Sequence, residues 1–263
     1  VGEWMKIQVF ENDKGNFINT TDKSGLNNLS RGLWWSITKG DIDNDGDDDF
    51  IVGNLGRNNK FKASKEHPFK VYANDFDNNG TNDVVLAKYY KDGYVPMRGK
   101  ECTTQQMPYV SEKFKDYHSF ASSKLLDILP KDKIEGAVIY QIENFESIIL
   151  LNDGGHFKPI SLPIEAQVSP IKDAIINDFN SDGFQDVLVI GNHYGVEIET
   201  TRYDAGNGLM LLGDGKSNFT SVNTLTSGIN LFKDSRSISN LKIKDEYVLV
   251  ISSNKDSLKL AKY

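Results

Sequence analysis

The sequence has one cysteine, Cys102, no long apolar run and no basic patch. A single cysteine excludes an intrachain disulfide and any zinc site built on cysteine ligands. No stretch approaches the roughly 18 consecutive apolar residues that predict a membrane-spanning helix. The formal net charge is -7, with 37 Asp and Glu against 30 Lys and Arg, so nucleic acid and anionic membranes are poor partners.

Motifs of common enzymes are also missing. The sequence contains no GxSxG, HExxH, P-loop or dinucleotide-binding glycine motif. The four histidines, at 67, 118, 156 and 193, are far apart and form no ligand pair, which favours surface or packing roles. We therefore expect no catalytic residue and a protein that is not an enzyme.

The composition favours short strands and tight turns. Among 263 residues there are 22 Gly, 14 Phe and 11 Tyr, a pattern typical of β structure. Three segments, 9–17, 150–157 and 211–219, each have an apolar strand end, an Asn/Asp/Gly turn and a Phe that opens a second strand. Such turns tolerate positive φ, so the segments predict β-hairpins. The abrupt start at Val1 suggests a mature form or a piece of a longer chain.

Three acidic segments carry the clearest chemistry: 41–49, 75–83 and 178–186. Positions 1, 3, 5 and 9 of each are Asp or Asn, and position 6 is Gly. Oxygens on alternate residues can converge on one hard cation, while position 7 supplies its main-chain carbonyl. We expect three Ca²⁺ sites, because the larger ion suits an irregular oxygen cage. The expected ligands are Asp41, Asp43, Asp45, Asp47 and Asp49; Asp75, Asp77, Asn79, Thr81 and Asp83; and Asp178, Asn180, Asp182, Phe184 and Asp186.

Neither an EF-hand nor a plain acidic turn accounts for these segments. An EF-hand needs a bidentate Glu at position 12 between two helices, but here position 12 is Val52, Leu86 or Val189, each inside an apolar run typical of a strand. A plain acidic turn explains one segment, but not three in one register. The segments therefore predict calcium loops that join two strands.

The pattern 41–49, preceded by 36–40 and followed by 50–53, resembles the FG-GAP/VCBS repeat of integrin-α-like β-propellers. The stretches 53–56, 62–68 and 202–205 resemble Bacteroidetes-type bacterial FG-GAP proteins that carry ASPIC/UnbV domains. The resemblance covers most of residues 30–222. It implies that each loop connects the first two strands of a blade, and that the protein serves adhesion, recognition or enzyme scaffolding.

We expect an all-β fold: a β-propeller of four-stranded blades, or a contiguous part of one, as a single domain over 1–263. A helical insertion is expected at 91–135. Apolar residues recur at helical spacing over 101–130 and predict one or two amphipathic helices, whose apolar stripe comprises Val110, Phe114, Tyr117, Ala121, Leu125 and Leu129. The last unit, 236–243 and 246–252, lacks an acidic loop. N-terminal strands near 5–10 and 17–20 are candidates to complete that unit and close the ring.

Strand order also predicts a recognition surface. Consecutive strands are antiparallel, so the long connections 55–68, 91–135 and 193–207 should emerge opposite the calcium loops, on the face that carries Trp34 and Trp35. At least one of these tryptophans is expected in the core. The candidate ligand contacts are Trp35, His193, Tyr194, Arg202 and Tyr203.

These observations predict a non-catalytic recognition or adhesion module for a protein or carbohydrate. Loops of this kind work where calcium is millimolar, so an extracellular or cell-surface location follows, with the periplasm as a further possibility. The alternative is a propeller-fold polysaccharide lyase or hydrolase, or an accessory domain of one.

Overall fold

The computed structural model describes residues 1–244 and 246–263. The chain divides into two compact units: unit 1 comprises Val1–Asn59 and Phe145–Tyr263, and unit 2 comprises Lys60–Asn144. No helix in the described residues has the length and apolar character needed to span a membrane.

Strands dominate unit 1, whereas unit 2 combines four strands with five short helices. In chain order the elements are β1 (Glu3–Met5), β2 (Phe10–Asp13), β3 (Asn16–Asn19), β4 (Gly32–Leu33), β5 (Ser36–Gly40), β6 (Asp49–Gly53), β7 (Phe69–Asn74), β8 (Asp83–Tyr90), β9 (Gly93–Pro96), α1 (Lys100–Gln106), α2 (Tyr109–Lys113), α3 (Tyr117–Ala121), α4 (Leu125–Ile128), α5 (Lys131–Glu135), β10 (Val138–Ile142), β11 (Ile148–Asp153), β12 (His156–Ser161), a 3₁₀ helix (Ile164–Gln167), β13 (Asp173–Asn177), β14 (Asp186–Ile190), β15 (Leu209–Gly213), β16 (Phe219–Val222), α6 (Thr224–Ser227), β17 (Ser235–Ile243), β18 (Glu246–Ser253) and β19 (Lys259–Lys262).

Three larger antiparallel sheets and two two-stranded ones lie in the described residues of unit 1. Sheet A has the order β12-β11-β6-β5, sheet B the order β13-β14-β15-β16, and sheet C the order β17-β18-β19. In sheet A, β6 pairs with β11 although the whole of unit 2 lies between them in the chain. The expected interruption at 91–135 is therefore part of a longer separation between the second and third strands of sheet A. The pattern of apolar residues predicts where strands lie but not which strands pair, so the sequence did not predict the pairing of β6 with β11.

The sheets of unit 1 stack through alternate residues of β14. Val187 enters a buried cluster with Ile51 of sheet A, whereas its neighbour Leu188 enters a second cluster with Leu249 of sheet C. Successive strand residues point to opposite faces, so sheet B contributes side chains to both clusters. Face-to-face stacking of four-stranded sheets is typical of neighbouring propeller blades. Closure of the sheets into a propeller stays a prediction.

The N-terminal segment packs on sheet A rather than completing sheet C. The strand β1 pairs with β4, and β2 forms a hairpin with β3. Trp34 is 1% exposed in a cluster with Ile7 and Leu26, and its Nε1 donates to the Met5 carbonyl at 3.0 Å. This confirms that one of the tryptophans fills the core. Among the described residues sheet C has three strands, so the expected pairing of the N-terminal strands with it was wrong.

Unit 2 combines one sheet with short helices. Sheet D has the order β10-β7-β8-β9. The region 101–130, expected to hold one or two helices, holds four, and α5 follows it, because helix-breaking and helix-starting features recur along the segment. Pro108 and Pro130 precede α2 and α5, and the Asp116 carboxylate caps α3 by accepting the Ser119 N–H at 2.7 Å.

The breaks between helices change which side chains are buried. Val110 and Leu125 lie in the buried cluster of unit 2, as their spacing predicts. Tyr117 belongs to the same predicted apolar stripe but is 64% exposed, and Phe120 is buried instead. The stripe fails at α3 because a new helix begins there with its own orientation.

Candidate metal centres

The three acidic loops join strands, as the sequence predicts. Loop 1 (41–49) joins β5 to β6, loop 2 (75–83) joins β7 to β8, and loop 3 (178–186) joins β13 to β14. Loops 1 and 3 connect the first and second strands of sheets A and B. The position of loop 2 in its sheet is different. It joins β7 to β8, and these are the two middle strands of sheet D because β10 pairs with the outer side of β7.

All three loops share one hydrogen-bond scheme at position 1. The carboxylates of Asp41, Asp75 and Asp178 each accept the N–H groups of positions 5 and 6, at 2.9–3.1 Å. The chain turns through positive φ at position 4, at 59–62°, and again at the position 6 glycine, at 87–98°. A glycine adopts that second conformation without a Cβ clash, which explains its recurrence in the sequence.

The aspartate at position 9 of each loop is buried. Asp49 and Asp186 are 0% exposed and Asp83 is 4% exposed. One oxygen of each accepts the N–H of position 2 at 2.8–3.0 Å. Burial raises the pKa of all three carboxyls, and these backbone hydrogen bonds oppose the rise. A buried carboxylate with nearby acids calls for compensating positive charge.

Carboxylate oxygens converge in loops 1 and 2. Oxygens of Asp41, Asp43 and Asp49 lie within 4.8 Å of one another, and so do those of the equivalent residues of loop 2, Asp75, Asp77 and Asp83. The Oδ1 atom of Asp43 is buried and has no hydrogen-bond partner among the described residues. Burial, with the Asp45 carboxylate, raises the pKa of Asp43. Converging oxygens, one of them lacking a donor, are the donor set that a hard divalent cation such as Ca²⁺ takes.

Loop 3 has a less acidic set. Asn180 occupies position 3, and its Nδ2 donates to the Asp182 carboxylate at 2.9 Å. The described carboxylate triads closer than 4.8 Å lie in loops 1 and 2. An amide oxygen can also ligate calcium, so loop 3 keeps the donor pattern; at positions 1, 3, 5 and 9 it has three carboxylates, as loop 2 does, against four in loop 1.

The remaining expected ligands lie on the solvent side of their loops. The Asp45 and Asn79 side chains are exposed and accept the N–H groups of Asp47 and Thr81, at 2.9 and 2.8 Å. Thr81 and Phe184 are exposed residues at position 7, where only the main-chain carbonyl is expected to act. These positions leave each loop open to ions from solvent.

The structure adds contacts that the sequence did not reveal. In sheet A, the second oxygen of Asp49 accepts the Asn152 N–H at 2.8 Å, and the Asp47 carboxylate accepts the Gly154 N–H at 2.8 Å. In sheet B, Asp186 accepts the Gly213 N–H at 3.0 Å. Loops 1 and 3 are thereby tied to the third strands of their sheets. The residues that donate these hydrogen bonds lie in the repeated hairpin segments 150–157 and 211–219. These segments are remote from loops 1 and 3 in the sequence, so the sequence alone did not indicate the contacts.

The residues expected to contact a ligand come together in unit 1. The rings of Trp35 and His193 have centroids 5.4 Å apart. Main-chain hydrogen bonds of 2.7 and 3.1 Å join His193 to Tyr203. The Arg202 guanidinium lies 4.5 Å from the ring centroid of Tyr194. We call these five residues the aromatic cluster.

Charged residues that sequence reasoning missed surround the aromatic cluster. The Lys172 Nζ lies 3.0 Å from the Trp35 ring centroid, and the Glu3 carboxylate accepts the Trp35 Nε1–H at 2.5 Å. Arg236 lies 2.8 Å from the Asp234 carboxylate and 3.3 Å from the His193 Nδ1. Burial, reinforced by the Arg236 charge, lowers the pKa of Lys172 to about 7. No sequence motif links these residues, because they come from separate elements.

Comparison with protein families supports part of the predicted resemblance. Residues 33–64 match the FG-GAP repeat. The matched stretch contains β5, loop 1 and β6, so the chain is similar to this repeat at its most acidic loop. A search of curated proteins found no match.

Proposed function

We propose that this chain is a calcium-binding β-propeller module that recognises a protein or glycan ligand and is not an enzyme. The observation that carries the calcium part is the shared geometry of the three loops, with the partnerless Asp43 Oδ1 in the loop that matches the FG-GAP repeat. The FG-GAP match and the stacked sheets A, B and C support the propeller part.

Calcium would be held in loop 1 by Asp41, Asp43, Asp45 and Asp49, with the Asp47 carbonyl, and by the equivalent residues of loops 2 and 3. The ion supplies positive charge that offsets the repulsion between clustered carboxylates. Because Asp49 and Asp186 also bind the third strands of their sheets, ordering of the loop extends to the sheet. The proposed role of calcium is therefore structural.

The aromatic cluster is the proposed recognition surface. Trp35 precedes β5 and His193 follows β14, so both lie at strand ends opposite loops 1 and 3. Aromatic rings beside an arginine suit stacking with a sugar and contact with a protein. Such a surface leaves the calcium loops free to act as rigid supports.

A screen of the purified protein on arrays of glycans and extracellular proteins, in saturating calcium, tests this proposal. Once a ligand is found, Tyr194→Ala and Arg202→Ala should each weaken binding at least fivefold. Asn44→Ala, at the exposed edge of loop 1, is the matched control and should leave binding unchanged. Loss of binding in the control alone would place recognition on the calcium-loop side and overturn the assignment.

The alternative function is a propeller-fold polysaccharide lyase or hydrolase, or an accessory domain of one. The observation that favours it is the pairing of Lys172, with its pKa lowered to about 7, and His193, whose pKa burial also lowers, in one half-buried cluster. A turnover screen on polysaccharides separates the two functions. A recognition module leaves polymer length unchanged, whereas a lyase or hydrolase shortens it.

The proposed location is extracellular, at the cell surface or in the periplasm, where calcium reaches the concentrations that such loops need. The finer likeness to bacterial FG-GAP proteins with ASPIC/UnbV domains also stays a prediction, because the family match covers residues 33–64.

A further inference from the structure

Unit 2 contains a groove of about 390 Å³ on the side of sheet D where β8 and β9 meet α3. This volume lies within the range of small-ligand sites, about 300–1,000 Å³. The groove shares no residue with the aromatic cluster or with the acidic loops. Its lining is therefore open to a separate role.

The groove reverses the charge of the rest of the chain. Lys88, Arg98 and Lys100 line it, and no Asp or Glu is among the described lining residues. The whole sequence carries a net charge of -7, so the two lysines of this lining, Lys88 and Lys100, stand out locally. Cations grouped at a concave surface favour an anionic ligand.

Aromatic side chains form the walls beside these cations. Tyr90 and Tyr117 are 56% and 64% exposed, while Phe120 is 6% exposed. The Tyr117 hydroxyl donates to the Glu101 carboxylate at 2.9 Å, and the Lys100 Nζ lies 5.4 Å from the Tyr117 ring centroid. An exposed ring held beside an ammonium offers a flat apolar face and a charge partner together.

We propose that this groove binds an acidic saccharide, whose ring packs on Tyr117 or Tyr90 while its carboxylate or sulfate pairs with Lys88 and Lys100. The groove has room for a short saccharide, but its lysines do not make the extended basic surface that a nucleic acid backbone requires. A saccharide is favoured over an acidic peptide because the exposed aromatic walls match the C–H faces of sugar rings. This site goes beyond the proposed function, since it involves neither the aromatic cluster nor calcium.

Calorimetric titration of the full chain in saturating calcium tests the site with defined probes. The arms are a uronic acid trisaccharide, its methyl ester, a sulfated trisaccharide and a peptide of three glutamates. At least one acidic saccharide should bind with a Kd of millimolar or lower, and the neutral ester at least tenfold more weakly. Stronger binding of one acid identifies its anionic group as the one recognised. Equal binding of the ester, binding of the peptide alone, or no binding at all overturns the proposal.

Matched lysine variants locate the site. Lys100→Met and Lys88→Met should each weaken binding of the acidic saccharide at least fivefold. Lys91→Met is the control, because Lys91 also lies over a tyrosine ring, that of Tyr90, but does not line the groove. Melting curves establish that each variant is folded. If Lys91→Met lost as much affinity for the acidic saccharide as Lys88→Met and Lys100→Met, the loss would reflect only the change in net charge. That result would overturn the proposal. Unchanged affinity for the acidic saccharide in Tyr194→Ala separates this groove from the aromatic cluster.

Discussion

The Asp49 carboxylate accepts the backbone N–H of Asn152, 103 residues further along the chain, at 2.8 Å. Its other oxygen accepts the N–H of Ile42 within loop 1. One buried side chain thus joins a candidate calcium loop to the third strand of its sheet. This relationship makes loop occupancy and the stability of unit 1 interdependent, and it is the basis of the first two predictions.

Removal of calcium should lower the melting temperature. A ligand that binds only the folded state stabilises it by mass action, by about 2.7 kcal/mol at a concentration 100 times its Kd. We expect EDTA to lower the Tm by several degrees, and added Ca²⁺ to restore it more effectively than equal Mg²⁺. Differential scanning calorimetry gives the measurement. Identical curves in EDTA and in millimolar calcium would contradict the calcium assignment.

Asp43→Ala should remove one calcium and leave the others bound. Its Oδ1 is buried without a partner, whereas the neighbouring Asp48 pairs with Lys39 at 2.7 Å on the exposed side of the loop. Titration calorimetry should show a stoichiometry of two for Asp43→Ala. The control Asp48→Ala, which removes the same charge from the same loop, should keep three. Loss of all sites in Asp43→Ala would indicate one shared cluster.

Gly213→Ala should destabilise the protein by about 1–3 kcal/mol, the usual cost of overpacking. A Cβ at this position would lie 2.1 Å from the Gln185 carbonyl oxygen, next to the N–H that binds Asp186. The control Gly195→Ala meets nothing within 4 Å and should change stability by less than about 0.5 kcal/mol. Urea denaturation measures both. Equal stability of the two variants would refute the close approach.

Lys172→Met should stabilise the protein most at low pH. Because the pKa of Lys172 is lowered to about 7 from an ordinary 10.5, the unfolded chain holds one more proton between these values. Stability therefore rises with pH across this window, and below it the folded protein carries the cost of the buried ammonium. Attraction to the Trp35 face offsets part of that cost.

Thermal melts of Lys172→Met and wild type at pH 6 and pH 9 measure this effect. The Tm difference should favour the variant at pH 6 and shrink at pH 9. Lys158→Met, at an exposed position of β12, is the control and should show no such trend. A difference that grows with pH would mean that the ammonium is stabilised, not penalised, in the folded state.

Local features of the fold could be predicted from the sequence, but the pairing of distant segments could not. Alternating oxygens and a fixed glycine identified all three acidic loops as strand connections, because the turn geometry depends on nearest neighbours. The partners of Asp49 and the packing of Trp34 depend on segments that are remote in the chain. Lys172, which lies over the Trp35 ring, and Arg236, which lies beside His193, share no motif with those residues, so only the folded chain brings them together.

The pairing of β6 with β11 also sets an order of events during synthesis. A ribosome adds roughly 5–20 residues each second, so β6 leaves it on the order of ten seconds before β11 does. During that interval Ile51 and Val52 have no third strand beside them, and the edge of β6 is open to other chains. The residues made meanwhile form unit 2, which has its own buried cluster. Newly made chains are therefore exposed to misassembly at this edge until residue 150 emerges, and early binding of a chaperone there would protect them.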